Sequence, residues 1–231
     1  MNLASLVLRL GLAVAVVCAA ASQASAEAAL EDAALKTFAV HIDRSPKQSW
    51  PGYGIYLGNG LILTAAHVAG NVAKTKPHVL IAGQDLPAAL VKQGSLDETD
   101  LTLLSVDAAK LPVRLQMRRL PLCDRPPFAG EAVVVVIPEG TARSRVLPPN
   151  AIPPRIRGRF DTLIPDVATT GNSGSGVFDV LNQCLLGIMS RKISVSLGQA
   201  WPGAPVLTRD IAKYFVPVGE IKAFIPASVS F

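Results

Sequence analysis

The sequence has few aromatic residues and few charged ones. Of its 231 residues only 5% are aromatic and 17% are charged, while half are hydrophobic. That composition excludes a disordered chain and indicates a globular one. There is no run of Lys and Arg, and no basic stretch interleaved with aromatics. Nucleic-acid binding is therefore not expected, although the formal net charge is +5.

The N-terminal 26 residues lack acidic side chains and carry one basic residue, Arg9. Their apolar run, Leu10–Val17, is shorter than the roughly 20 residues that a membrane span needs. It leads to Ala24-Ser25-Ala26, an A-x-A site for signal peptidase. We expect residues 1–26 to be a signal peptide cleaved after Ala26, with an uncleaved anchor as the alternative. The mature protein would then be periplasmic or secreted, without a stable membrane anchor.

Cysteine is also scarce. Cys18 lies in the expected signal peptide, which leaves Cys123 and Cys184 in the mature chain. An even number of cysteines in an exported chain predicts a disulfide between them. Two buried free thiols are the alternative.

Glycine and proline, 18 of each, punctuate short apolar runs throughout the chain, as is typical of many short strands. A helix-compatible stretch, Ala28–Leu35, precedes them. The predicted strands fall into two sets, which are Phe38–Ile42, Tyr53–Leu57, Leu61–Thr64, Val79–Ala82, Ala88–Lys92 and Leu101–Val106, then Ala132–Ile137, Ser144–Leu147, Arg155–Phe160, Gly176–Val180, Leu185–Ser190 and Val206–Thr208. The proline-rich stretch Leu111–Gly130 separates the sets.

The fold class predicted from this pattern is all-β. We expect two antiparallel six-stranded β-barrels, because each half has enough strands to close on itself and so remove its exposed sheet edges. The first barrel would span about residues 36–112 and the second about 128–216. A short C-terminal helix is predicted at about 218–224.

One glycine-rich motif carries a candidate nucleophile, Ser173, in the run Gly171-Asn172-Ser173-Gly174-Ser175-Gly176. Acyl transfer needs a nucleophilic hydroxyl beside backbone N–H groups that stabilise an oxyanion. Glycines on both sides permit the tight turn that aims such groups inward. The N–H groups of Gly171 and Ser173 are the expected oxyanion donors. An ordinary surface turn is the alternative interpretation.

Three histidines are present, and all precede Ser173, which excludes the α/β-hydrolase order. His67 ends a buried strand followed by small residues, so its imidazole is expected at a barrel rim as the general base. His41 lies within a strand and is interpreted as structural, and His78 as solvated surface. His67 alone would have a structural role about as readily as a catalytic one.

The third member of a nucleophile–base–acid set is a carboxylate that orients the histidine. Asp100 lies where a polar turn enters the apolar run Leu101–Leu104, although an Asp there is ordinarily a turn residue. The resulting order His67, Asp100, Ser173 matches the two-barrel peptidases. A subtilisin order would need Asp32 or Asp43 on an α/β scaffold, which the strand pattern does not favour.

These motifs together resemble the trypsin-like serine peptidases of chymotrypsin-like fold, and most of all their bacterial glutamyl-endopeptidase branch. Leu63–Val68 is similar to the family's histidine motif, Thr99–Leu104 to its aspartate motif and Gly171–Gly176 to its serine motif. Residues 214–224 resemble the terminal helix region of the bacterial branch. The resemblance implies one peptidase domain over residues 27–231, with His67, Asp100 and Ser173 as its catalytic triad.

The resemblance also implies where substrate would bind. Ser190, on the strand after the nucleophile, would pair with the substrate backbone. Val167, at the expected floor of the primary pocket, is uncharged, and Ala168 and Thr170 would line the same pocket. Arg191 follows Ser190 and is a further candidate for substrate binding. Met189 replaces the histidine typical of the glutamyl-endopeptidase branch, so a neutral or apolar pocket is predicted.

The function predicted from the sequence is therefore a secreted serine endopeptidase that forms an acyl-enzyme on Ser173. It would need no cofactor or metal, would act on peptide or protein substrates, and is expected to be a monomer. Two alternatives are a catalytically silent protease-fold binding module and an esterase that uses the same triad.

Overall fold

In the computed structural model of the chain, the described residues are 28–43, 52–151, 153–154, 156, 160–165, 173–199, 201 and 203–231. The expected signal peptide lies outside them. The chain divides into two compact units, Met1–Leu35 and Lys36–Phe231. Residues 28–36 are helical, as the sequence predicted. All strands named below belong to the second unit.

The first sheet is a barrel closed by a single bent strand. Its members are β1 (Ala39–Asp43), β2 (Gly52–Gly58), β3 (Leu61–Thr64), β4 (His78–Ile81), β5 (Gln84–Pro87), β6 (Ala89–Gln93) and β7 (Thr102–Ser105). They pair antiparallel in the order β5-β4-β1-β2-β3-β7-β6. β5 and β6 lie at opposite edges, yet only Ala88 separates them in sequence, so the run 84–93 joins the two edges. Counted as one bent strand, it makes this a six-stranded barrel.

The second sheet has six antiparallel strands. They are β8 (Ala132–Ile137), β9 (Gly140–Arg145), β10 (Leu163–Ile164), β11 (Gly176–Asp179), β12 (Leu185–Gln199) and β13 (Val206–Pro217). The order is β10-β13-β12-β11-β8-β9. The N–H of Leu147, just beyond β9, donates to the carbonyl of Leu163 in β10 at 2.7 Å. That bond brings the two edges of the sheet together, so the predicted two-barrel, chymotrypsin-like architecture is confirmed.

The helices of the second unit are short. They are α1 (Ala66–Ala69), α2 (Val72–Thr75), α3 (Val113–Gln116) and α4 (Val218–Phe224), with 3₁₀ turns at Ala108–Lys110 and Pro149–Ala151. The C-terminal helix α4 buries Val218, Ile221 and Phe224, which follow a helical spacing of three. No helix among the described residues is long and apolar enough to cross a membrane.

The two barrels have apolar interiors supplied by the strands. All four residues of β3 are buried, and five of the six residues of β8 are as well. A strand that is buried on both faces has a continuous run of apolar residues, and this is why the sequence predicted both strands. The core of the second barrel includes the buried residues Val133, Val177, Met189, Phe215, Cys123 and Cys184.

The strands differ from the sequence prediction in several places. β9 covers Gly140–Arg145, whereas Ser144–Leu147 was predicted. β5 was not predicted, because the polar run that forms it carries no apolar alternation. Of the predicted strand Arg155–Phe160, only Ile156 and Phe160 are described; both lie outside strands, and the short β10 forms the edge of the sheet. β12 and β13 continue past their predicted ends as a long hairpin whose outer half is exposed. The predicted turn at Gly58-Asn59-Gly60 does join β2 to β3.

The segment between the barrels is attached to both of them. The N–H of Leu120 donates to the carbonyl of Leu57 in the first barrel at 2.9 Å, and the N–H of Cys123 donates to the carbonyl of Leu185 in the second at 3.0 Å. Cys123 and Cys184 form a disulfide across 61 residues of sequence. The prediction of a disulfide is therefore confirmed, and the alternative of two free thiols is not.

Loss of this disulfide should lower the free energy of unfolding by about 4 kcal/mol, because a loop of this length gains that much chain entropy when it is opened in the unfolded state. Urea unfolding of wild type, with and without reductant, and of the Cys123→Ala/Cys184→Ala double variant measures it. The reductant should destabilise only wild type. Two titratable thiols in the denatured, unreduced protein would contradict the bridge.

Candidate active site

His67 is placed by the end of strand β3. Thr64 closes the strand, Ala65 follows it, and the four-residue helix α1 begins at Ala66 with His67 in its first turn. The small buried residues before the histidine let the chain turn immediately after the strand. The imidazole is 32% exposed, so it can meet a substrate while its backbone is held.

Asp100 reaches His67 because strands β3 and β7 pair in register. Thr64 lies opposite Thr102, so the residues just after Thr64 and just before Thr102 leave the ladder at the same end. The N–H of Gly94 donates to the carbonyl of Leu101 at 2.8 Å, which closes the preceding loop. As a result Asp100 is 2% exposed.

The two side chains form a close pair. His67 Nδ1 lies 2.8 Å from Asp100 Oδ2 and 3.1 Å from Oδ1, and the His67 backbone N–H donates to Oδ1 at 3.1 Å. Ser190 Oγ donates to Oδ2 at 2.5 Å. Burial acts to raise the pKa of Asp100, but the hydrogen bonds from His67 and Ser190 outweigh it and hold that pKa below its usual value. The carboxylate is therefore ionised at neutral pH and fixes the imidazole through Nδ1.

Ser173 is the first described residue of the glycine-rich motif 171–176. Its Oγ donates to the backbone carbonyl of Ser190 at 2.9 Å. Its own carbonyl accepts from the N–H of Tyr53 in the first barrel at 3.1 Å, and the next residue, Gly174, donates to the carbonyl of Met189 at 2.8 Å. The loop is thus held between the two barrels. A hydroxyl has one proton, so in this geometry that proton points at Ser190 and not at His67.

Gly174 permits this close approach. Its φ is +89°, and a Cβ at this position would lie 1.8 Å from the backbone oxygen of Tyr53. Any other residue would both strain the backbone and collide with the first barrel. A glycine after Ser173 is therefore required by the contact between the barrels as well as by the turn.

Ser190 lies at a β-bulge. Met189 pairs with Phe215 and Arg191 with Tyr214, so Ser190 is an extra residue on β12. Its carbonyl accepts from Ser173, while its hydroxyl donates to Asp100. The sequence prediction gave Ser190 a role in substrate binding only. No local pattern could have shown its bond to Asp100, because the two residues are 90 positions apart.

The guanidinium of Arg191 is turned inward. Its Nε donates to Ser190 Oγ at 3.2 Å, its Nη2 donates to the carbonyl of Leu96, and its Cζ lies 5.5 Å from the centre of the Phe160 ring. The following cation, Lys192, pairs with Asp210 at 2.8 Å. Both cations that follow Ser190 are thus engaged within the protein.

Four predicted site residues lie outside the described residues. They are Gly171, expected to donate to the oxyanion, and Val167, Ala168 and Thr170, expected to line the primary pocket. The other two histidines lie away from the pair. His41 bonds Glu139 and lies against the ring of Tyr53, and His78 bonds Asp85 on an exposed hairpin.

Among the described residues, one group of side chains has metal-like proximity, namely Cys123, Asp179 and Cys184. The two sulfur atoms are joined as a disulfide, so this group offers no thiolate ligand. A cavity of about 110 Å³ lies beside Asp100, lined by Arg191, Tyr214 and Glu220 among others.

Two antiparallel barrels, an ionised aspartate that holds a histidine at their rim, and a serine turn packed against both barrels define a serine peptidase of the chymotrypsin-like fold. The trypsin-like peptidase domain model matches residues 52–188, which is more than half of the chain. The chain belongs to the trypsin-like peptidase family, and its activity class is that of a hydrolase.

Solved structures share the fold at low sequence identity. The Rv3671c protease from M. tuberculosis in its active form is 21% identical, with a TM-score of 0.55 over 83% of this chain and 81% of that one. Kallikrein-related peptidase 10 is 20% identical, with a TM-score of 0.56 over 81% and 93%. A serine endoprotease from Yersinia pestis is 21% identical, with a TM-score of 0.55, and is covered over 63% of its length by 84% of this chain. No curated protein matches the chain significantly.

The lowered pKa of Asp100 predicts acid sensitivity. A group whose pKa falls on folding stabilises the fold above its unfolded pKa, near 4, and loses that contribution as the pH falls through its lower folded pKa. Wild type should therefore be more stable than Asp100→Asn at pH 6, on the order of 2 kcal/mol, and the difference should shrink towards pH 2. Urea unfolding across this range measures it. A difference independent of pH would contradict an ionised Asp100.

Proposed function

We propose that the protein is a serine endopeptidase that hydrolyses peptide bonds through an acyl-enzyme on Ser173. The observation that carries this proposal is the ionised Asp100 bound to His67 Nδ1. That bond leaves Nε2 of His67 as the atom that takes a proton from the nucleophile. Ser173 is held on the same residue, Ser190, that bonds Asp100, which supports a shared site.

In the proposed reaction the Ser173 hydroxyl first rotates away from the Ser190 carbonyl. His67 then accepts its proton as Ser173 Oγ attacks the substrate carbonyl. The protonated imidazole gives the proton to the leaving amine, which departs as the acyl-enzyme forms. In the second half, His67 takes a proton from a water molecule as the water oxygen attacks the ester carbonyl, and the imidazolium then gives that proton to Ser173 Oγ as the ester bond breaks. Asp100 stays ionised and stabilises the imidazolium throughout.

Stabilisation of the oxyanion is assigned to the N–H groups of Gly171 and Ser173. In other enzymes, removal of one such donor raises the activation free energy by about 3 kcal/mol. The left-handed conformation of Gly174 supports a tight turn at this point in the chain, which is what brings successive N–H groups to one side.

The primary specificity pocket is proposed to be neutral or apolar, with Val167 at its floor and Ala168 and Thr170 along its wall. Met189 is 1% exposed and packs in the core of the second barrel, so its side chain cannot bind a substrate carboxylate. Arg191 and Lys192 already bond other residues of this chain, Leu96 and Asp210, which also weighs against cleavage after acidic residues. Membership of the glutamyl-endopeptidase branch stays a prediction.

Export to the periplasm or outside the cell is proposed from the signal-like residues 1–26. The disulfide supports it, because disulfides persist in oxidising compartments. The expected partners are peptide or protein substrates, and the expected form is a monomer.

One observation favours a second candidate, a catalytically silent binding module. The hydroxyl proton of Ser173 is donated to Ser190, so the nucleophile is not primed in this geometry. The Ser173 hydroxyl must leave the Ser190 carbonyl before it can react, and labelling with a fluorophosphonate distinguishes the two functions.

Fluorophosphonate should label purified residues 27–231 at Ser173. Loss of the nucleophile from a cooperating triad costs on the order of 10⁶ in kcat, so Ser173→Ala should show no labelling or turnover. Intact mass and peptide mapping locate the label. Ser196→Ala, an exposed serine at the outer end of β12, is the matched control and should label like wild type. A folded wild type that does not label would favour the silent module.

Cleavage of a peptide library should occur after uncharged residues. A charged P1 side chain would lose its hydration on entering such a pocket and would find no opposite charge there to compensate. Mass spectrometry of the products identifies the cut positions. Cuts mainly after Arg, Lys or Glu would contradict the neutral pocket, and ester turnover without peptide turnover would indicate an esterase.

A further inference from the structure

We propose that Arg191 is a positioning residue, which acts through the hydroxyl of Ser190 to hold Asp100 against His67. The proposal rests on the proposed function, because it assigns a role within the same triad. The evidence is a continuous hydrogen-bond chain from Arg191 Nε to Ser190 Oγ at 3.2 Å, and from there to Asp100 Oδ2 at 2.5 Å. Asp100 Oδ2 in turn lies 2.8 Å from His67 Nδ1.

The β-bulge makes this chain possible. In a regular strand, consecutive side chains point to opposite faces of the sheet, so an arginine would be turned away from the residue before it. The register between β12 and β13 shifts between Met189 and Arg191, which makes Ser190 the inserted residue. Bulges re-aim side chains in this way and occur next to active sites.

The donor and the acceptor of each hydrogen bond between Arg191, Ser190 and Asp100 follow from the chemistry of the groups. A guanidinium has only N–H donors and accepts nothing. When Arg191 Nε donates to Ser190 Oγ, it occupies a lone pair of that oxygen, and the single proton of the hydroxyl is left for another acceptor. The acceptor at 2.5 Å is Asp100 Oδ2. Arg191 thereby selects the hydroxyl orientation that serves the carboxylate.

Arg191 is itself held at its far end. Its Nη2 donates to the carbonyl of Leu96, in the connection between β6 and β7 that also carries Asp100. One side chain therefore ties that connection to the bulge on β12. The titratable groups around it are those that line the adjacent cavity, namely Asp97, Glu98, Asp100, Tyr214 and Glu220.

Two substitutions of equal length separate the hydrogen bond from simple packing. In Arg191→Gln the amide nitrogen occupies the position of Nε and can donate to Ser190. In Arg191→Met a methyl group occupies that position and cannot donate. We expect Arg191→Met to lower the second-order rate of fluorophosphonate labelling roughly tenfold, and Arg191→Gln to stay within about threefold of wild type.

A double-mutant cycle with Ser190→Ala tests whether Arg191 acts through Ser190. If it does, Arg191→Met should have almost no further effect once the hydroxyl is gone, because interacting residues are not additive. A merely structural arginine would lose the same factor in both backgrounds. Because the probe carries no carboxylate, an arginine that only bound acidic substrate groups would leave the labelling rate unchanged in Arg191→Met.

Arg209→Met, the same change at an exposed position of β13 in this hairpin, is the control and should label like wild type. Circular dichroism and urea unfolding establish that each variant is folded. A wild-type rate in Arg191→Met, a Gln variant as slow as the Met variant, or a full effect in the Ser190→Ala background would each overturn the proposal. Failure of folded wild type to label would instead overturn the proposed function, so the two failures are distinguishable.

Discussion

The structure depends on one buried carboxylate. Asp100 is 2% exposed, and an ionised group at that depth is tolerated only when its oxygens accept hydrogen bonds. Those bonds come from both barrels, from the backbone and ring of His67 in the first and from the hydroxyl of Ser190 in the second. The contacts that hold Asp100 against His67 are therefore also contacts between the two barrels. Neither barrel alone can satisfy this residue.

The same region joins the barrels through backbone contacts that tolerate no side chain. The N–H of Tyr53 donates to the carbonyl of Ser173, and Gly174 has no room for a Cβ. In the segment that connects the two barrels, the Cys123–Cys184 disulfide and Arg125 form links to the second barrel. Arg125 bonds both Glu131 and Asp179 at 2.8 Å, two carboxylates that are otherwise buried. The part of the linker from Cys123 onwards is thus fixed to the second barrel.

Periodic and contiguous features of the sequence predicted most of the fold. Strands such as β3 and β8, whose residues are mostly buried and apolar, were visible because burial on both faces leaves an uninterrupted run. β5 was missed because it is polar and defined by its partners, and β10 because two residues carry no periodicity. The meeting of His67 and Asp100 was predictable from the order of the motifs. The hydroxyl link from Ser190 and the inward turn of Arg191 were not, because a bulge and contacts across about 90 residues leave no local pattern.

The bond between Ser173 and the Ser190 carbonyl has a consequence for substrate. If the backbone of a peptide pairs with β12 at Ser190, its N–H competes with the Ser173 hydroxyl for the same carbonyl oxygen. When a peptide N–H occupies that oxygen, the Ser173 hydroxyl is free to turn towards His67. Peptide binding and reorientation of this hydroxyl are therefore linked equilibria. By reciprocity, a hydroxyl already turned towards His67 leaves the carbonyl open and raises the affinity for peptide. In the proposed enzyme, the Ser173 hydroxyl would therefore stay on the Ser190 carbonyl until a peptide strand pairs with β12.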